Sequence, residues 1–154
     1  MSEPVAINPR IVEALYCEAI VLSDEVRHAF TLSGRLETVS IDEDLARVAL
    51  SSEGLRTTTR MMHAIAWLLN HRAYFMGEIN ELQLHRHGRL PSDAREADPG
   101  QTALLEPEIV ELVESTRTFY ARLLRLDQNW RPGETCQPSA LERLRERLEQ
   151  RLAS

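Results

Sequence analysis

The groups in this chain that could hold a metal or move a proton are five histidines, two cysteines and 24 carboxylates. Glu25 and His28 stand three residues apart, the spacing by which a dimetal bundle presents a carboxylate and an imidazole from one helix face. Such a centre needs two of these pairs plus two further inward carboxylates, and no second Glu-x-x-His occurs. The pair therefore reads as a solvated helix flank. His85 and His87 are two apart, so on a helix they point in different directions and cannot chelate together. His63 and His71 share a helix face but have no acidic or Cys partner nearby in sequence, and read as packed or surface histidines. Cys17 and Cys136 lie outside any Cys-x-x-Cys or zinc-ligand spacing and read as free thiols. Nucleotide-binding and hydrolase motifs are missing, and the six glycines are scattered. All 18 basic residues are Arg, which removes lysine Schiff-base chemistry and the phosphate-loop lysine. No catalytic residue, cofactor or metal is expected.

The elements that carry these residues are helical throughout. At 154 residues, with 43% hydrophobic and 27% charged positions, the chain has the size and composition of one globular domain. A net charge of -6 disfavours nucleic acid and anionic lipid, since both need a basic face. The start, Met1 to Arg10, lacks the apolar core of a signal peptide. The longest apolar run, Ala64 to Leu69, is far short of the ~20 residues that span a bilayer. A cytoplasmic protein is expected.

A first helix opens on Asn8 as N-cap with Pro9 at its first position and closes at Gly34, with Ile11, Leu15, Ala19, Leu22, Val26 and Phe30 at helical spacing. A second runs from about Asp42 to Met76 and stops at Gly77. Along it Leu45, Val48, Ser52, Leu55, Thr59, Met62, Ala66, Leu69, Ala73 and Met76 alternate spacings of three and four, the pattern of a left-handed helix pair, and this seam is expected to face the neighbouring helices. From Met61 a second apolar stripe passes through Ile65, Leu68 and Phe75, with Trp67 and Tyr74 beside it. A helix apolar nearly all round must be covered on more than one side. Met61, Ile65, Trp67 and Leu68 are accordingly expected at a homodimer interface.

A short helix follows from Asn80 to His87, ending at Gly88, and residues 88–104 read as a polar loop. The third long helix starts at Pro107, behind a hydrophobic staple of Leu105 and Val110, and runs to Trp130. After Pro132 and Gly133, a capping box from Ser139 to Glu142 begins a tail helix carrying Leu141, Leu144, Leu148 and Leu152. The expected fold is all-α: an antiparallel three-helix bundle over residues 1–131 with a short extra helix, a C-terminal amphipathic tail over 132–154, and a homodimeric state.

One stretch is poorly optimised for helicity. Between Ser51 and Arg60, Gly54 costs ~1 kcal/mol against Ala and the threonines help little. Glu53 can pair with Arg56, whereas Arg56 and Arg60 repel mildly across one turn. These three residues, Glu53, Arg56 and Arg60, are the expected protein-docking face, although a charged face that pairs within the fold is the more common use of such residues.

The segment from Ser52 to Ala73 resembles the signature of the RcdA-type family, regulators of CtrA degradation. The matching residues are Ser52-Glu53, Leu55-Arg56, Thr58-Thr59-Arg60-Met61-Met62, Ala66-Trp67-Leu68-Leu69 and Arg72-Ala73. Gly77-Glu78 and the run from Phe119 to Asp127 extend the similarity, while residues after Trp130 depart from it. The resemblance implies a dimeric three-helix adaptor that helps the ClpXP protease receive substrates during the cell cycle. Its implied partners are the unfoldase ClpX, a CpdR-like response regulator as primer and a CtrA-like client. The competing reading is a helical bundle that binds a metal or small ligand; a DNA-binding protein would need a basic recognition helix, and the arginines at 86, 89 and 95 are broken up by Gly and Pro.

Overall fold

A computed structural model describes residues 7–33, 41–93, 99–131 and 140–153. The described residues form six helices and no strand: α1 (Pro9–Ser33), α2 (Ile41–Phe75), α3 (Glu81–His87), α4 (Pro99–Thr102), α5 (Pro107–Trp130) and α6 (Ala140–Leu152). None is long and apolar enough to cross a membrane.

Their ends are set by local chemistry. The Ile11 amide donates to Asn8 Oδ1 at 3.0 Å, which caps α1. Gly77 adopts φ of 79° just past α2, and the Gly77 and Glu78 amides donate back to the Tyr74 and Ala73 carbonyls at 3.1 and 2.9 Å. That double closure needs a left-handed residue, which glycine supplies without strain. α3 starts with a reciprocal capping box between Asn80 and Gln83. α5 starts with Pro107 behind Glu106, whose side chain makes no cap bond. The capping box expected at Ser139 and the thiol of Cys136 lie outside the described residues, whereas Cys17 is free and exposed.

The three long helices pack on one another. Glu13 pairs with Arg72 at 2.6 Å, while Phe30 lies against Gly54 many turns away, so α1 and α2 are antiparallel. Arg60 reaches Thr116, Trp67 reaches Asp127 and His71 reaches Trp130, so α5 runs parallel to α2. This corrects the antiparallel order expected from the sequence. The cause is the connection between α2 and α5, which travels back along the bundle instead of making a tight turn. It is also more than a polar loop: it contains α4, and Leu84 and Leu90 are buried.

The core is built from Val12, Leu15, Ala19 and Val26 of α1, Met61, Ala64, Trp67 and Leu68 of α2, and Phe119, Tyr120 and Leu123 of α5, with Leu90 from the connection. A Cβ on Gly54 would stand 3.1 Å from Phe30 Cδ1, so the glycine lets the α1 ring approach the α2 backbone.

Candidate functional site

The inner face of α2 carries a chain of buried polar residues. Glu53 is 1% exposed, and its carboxylate accepts from Arg56 Nη2 at 2.6 Å, Arg56 Nε at 3.1 Å and Thr57 Oγ1 at 3.3 Å. Arg60, 2% exposed, donates through Nε to both Asp93 oxygens at 3.1 and 3.0 Å and through Nη1 to Thr116 Oγ1 at 2.9 Å. Arg60 thus ties the connection and α5 to α2. The docking face expected at Glu53, Arg56 and Arg60 is corrected accordingly: two of the three are buried and all three are engaged inside the fold. Their charge is needed where it is, because a buried ion keeps its place only when paired and hydrogen-bonded.

A second cluster closes the far end. Asp127 Oδ1 accepts from Trp67 Nε1 at 2.9 Å and Arg131 Nε at 3.0 Å, while Oδ2 accepts from the Leu90 amide at 3.3 Å. Arg131 also donates to the carbonyls of His85 and Leu84 at 2.7 and 3.2 Å, and the Tyr120 hydroxyl donates to the Pro91 carbonyl. Burial, reinforced by Asp93, pushes the Tyr120 phenol up to about 12. These bonds strap residues 84–93 onto α2 and α5. Sequence reasoning missed Asp93, Thr116, Tyr120, Asp127 and Arg131; the available signal was an acid, Asp127, four residues after Leu123 on the buried face of α5.

His71 lies between two indoles, with ring centroids 4.1 Å from Trp67 and 5.1 Å from Trp130, and His85 stacks on Trp130 at 4.2 Å. His71 is fully buried and both ring nitrogens lack a hydrogen-bond partner. Burial lowers its pKa to about 4, so it is neutral at ordinary pH. Among the described residues no group of three or more metal-ligating side chains comes together. Glu25 and His28 are both exposed on α1.

The apolar stripes of α2 are exchanged relative to expectation. Met61, Trp67 and Leu68, expected at a subunit interface, are buried in the chain's own core, and Ile65 packs half-buried against it. The ten-residue seam expected to face inward turns outward instead: Leu45, Val48, Leu55, Met62, Leu69 and Met76 are all exposed, Leu55 at 71% and Met62 at 65%. The physical reason is the polar chain just described. Glu53, Thr57 and Arg60 occupy inward positions of the N-terminal half beside Ala49, and their polarity hides the fact that they are interior.

A groove of about 450 Å³ runs beside this seam on the α1 side, lined by Ser23, Arg27, Thr58, Met62 and Ile65 among others. Another of about 220 Å³ lies on the opposite flank, where Leu55, Thr59 and His63 meet Ser92 and Asp93. A further apolar stripe lies on α6, where Leu144, Leu148 and Leu152 are exposed, as are the other residues described between them.

A family model described as "Protein of unknown function (DUF1465)" matches residues 4–152. No curated protein and no solved structure matches the chain.

Proposed function

The chain belongs to the DUF1465 family, and we propose that it is a non-catalytic, cytoplasmic, homodimeric adaptor in regulated proteolysis. In this reading it helps deliver clients, such as a CtrA-like response regulator of the cell cycle, to the ClpXP protease, with a CpdR-like response regulator as primer. The sequence between Ser52 and Ala73, which resembles the RcdA-type signature, names these partners.

The observation that carries the reading is α6. Its 13 residues alternate Arg and Glu around Leu144, Leu148 and Leu152, and every side chain described on it is exposed. An isolated helix of this length is marginal in water, so a leucine stripe at four-residue spacing is a ligand for an apolar groove. Protein recognition needs such a face and no reacting groups.

Reconstitution tests it. Purified ClpX, ClpP, a CpdR-like protein and a CtrA-like client are combined with the full chain or with a chain ending at residue 131, and client loss is followed. The full chain is expected to raise the degradation rate severalfold, and the shortened chain to lose most of that effect. An unchanged rate with the full chain overturns the adaptor reading.

A further inference from the structure

The outward seam of α2 has a pattern that singles out one occupant. Large and small residues alternate along it: Val48, Ser52, Leu55, Thr59, Met62, Ala66, Leu69, Ala73. We propose that this seam packs against the same seam of a second copy, the two α2 helices running antiparallel about a two-fold axis that passes between residues 60 and 61. In that register Val48 meets Ala73, Ser52 meets Leu69, Leu55 meets Ala66 and Met62 meets Thr59, each twice by symmetry, with Leu45 against Met76 at the ends. Every internal layer sets one large side chain against one small one, so the layers fill to similar width. A parallel pair would set Leu55 on Leu55 and Ser52 on Ser52, alternating crowded layers with voids.

Four further observations fit a second copy. The seam spans Leu45 to Met76, ~45 Å at 1.5 Å per residue, and a strip that long and ~10 Å wide is roughly 450 Å² in projection. The grooves on either flank widen the contact toward the ~800 Å² per partner of stable complexes. Beside the central layers Ser51, Thr58, His63 and Asn70 carry no carboxylate or guanidinium, and the charges that border the grooves are matched within each chain, Arg56 by Glu53, Arg60 by Asp93 and Arg27 by Asp24. At the ends, the antiparallel order brings Asp44 to the end of the second copy that carries Arg72, where a parallel order would set Asp44 beside Asp44. The three-and-four spacing is that of two helices crossing at ~20° in a left-handed sense.

The inference deepens the homodimer of the proposed adaptor and rests on that reading only for the partner being a second copy. Sedimentation equilibrium of the full chain is expected to give twice the 17.6 kDa of one chain. Met62→Asp places two carboxylates within a few ångströms of the axis and is expected to weaken association on the order of a hundredfold. Met62 is exposed in the single chain, so the helical circular dichroism is expected to stay unchanged. Orientation is read by disulfide trapping, with Cys17 and Cys136 replaced by Ser. A mixture of Ser52→Cys and Leu69→Cys chains is expected to form a crosslinked dimer, and neither chain alone is expected to do so. Crosslinking of each chain alone would show a parallel pair and overturn the register. A monomer at every concentration overturns the proposal. So does a monomer whose seam loses its protection from hydrogen exchange when residues 132–154 are removed, since that assigns the seam to α6. A monomer that still accelerates client degradation defeats the seam alone; a dimer of this register that leaves degradation unchanged defeats only the adaptor reading.

Discussion

The two faces of α2 have almost opposite relations between residue type and environment. The inner face buries Glu53, Thr57, Arg60 and His71 together with Trp67 and Leu68, while the outer face leaves Leu45, Val48, Leu55, Met62 and Leu69 exposed. Polarity is thus a poor guide to which side of this helix is interior. For the charged groups what decides it is whether they find partners inside: Glu53 finds Arg56 and Thr57, and Arg60 finds Asp93 and Thr116. Once each donor and acceptor is matched, burial costs little, and the surrounding packing fixes the orientation of the helix.

The sharpest way to break that picture is to remove the acceptor on which the inner face converges. Asp127→Ala leaves Arg131 buried with its carboxylate gone and strips Trp67 Nε1 and the Leu90 amide of theirs. A loss of ~3–5 kcal/mol in urea unfolding is expected, the range for breaking one side of a buried ion pair. A loss below ~1 kcal/mol would mean that the inner face does not depend on matched polar groups.

A smaller effect is expected from His71, the buried polar residue of this face with neither nitrogen bonded. Its folded pKa of about 4 lies below the unfolded value of 6.5, so the unfolded chain takes up the proton first as pH falls. The resulting destabilisation is negligible above pH 6.5, grows as pH drops from there toward 4, and levels off below. At ~1.4 kcal/mol per pH unit its ceiling is on the order of 3 kcal/mol, less if water reaches the ring. Urea midpoints measured across this window should fall for the natural chain and fall less for His71→Leu. Equal slopes would show that the ring is solvated, or already partnered, when folded.

The limits of the helices were legible because they rest on local chemistry. Asn8 and Pro9, Gly77, Asn80, Gly88 and Pro107 each mark an end where the structure has one. The direction of α5 and the facing of α2 were not legible, for a common reason: both are set by contacts between residues far apart in sequence. The ties from Arg60 to Asp93 and from the Leu90 amide to Asp127 cross 33 and 37 residues. No periodicity within α2 reports them. The outer seam of large and small residues repeats cleanly, whereas the inner stripe changes from polar to apolar at Arg60 and so resembles no single pattern. Glu53, Arg56 and Arg60 are unusual on a helix, but Glu53 and Arg56 hold each other within α2, and Arg60 binds this chain's own connection and α5.

The smallest expected effect tests the same contrast with one substitution made twice. Leu68 is fully buried and Leu55 is 71% exposed, thirteen residues apart on one helix. Leu68→Ala removes core contacts and leaves a cavity, at an expected cost of ~2–5 kcal/mol. Leu55→Ala removes a side chain already in water, and at concentrations low enough to keep the chain monomeric its cost should stay within ~0.5 kcal/mol. Raising the protein concentration adds a second reading. If the outer seam meets another helix, the stability of the natural chain climbs with concentration by mass action and that of Leu55→Ala climbs less, while Leu68→Ala keeps the natural dependence. A concentration-independent midpoint for all three chains would leave the outer seam uncovered and make its alternation of large and small residues a property of the helix alone.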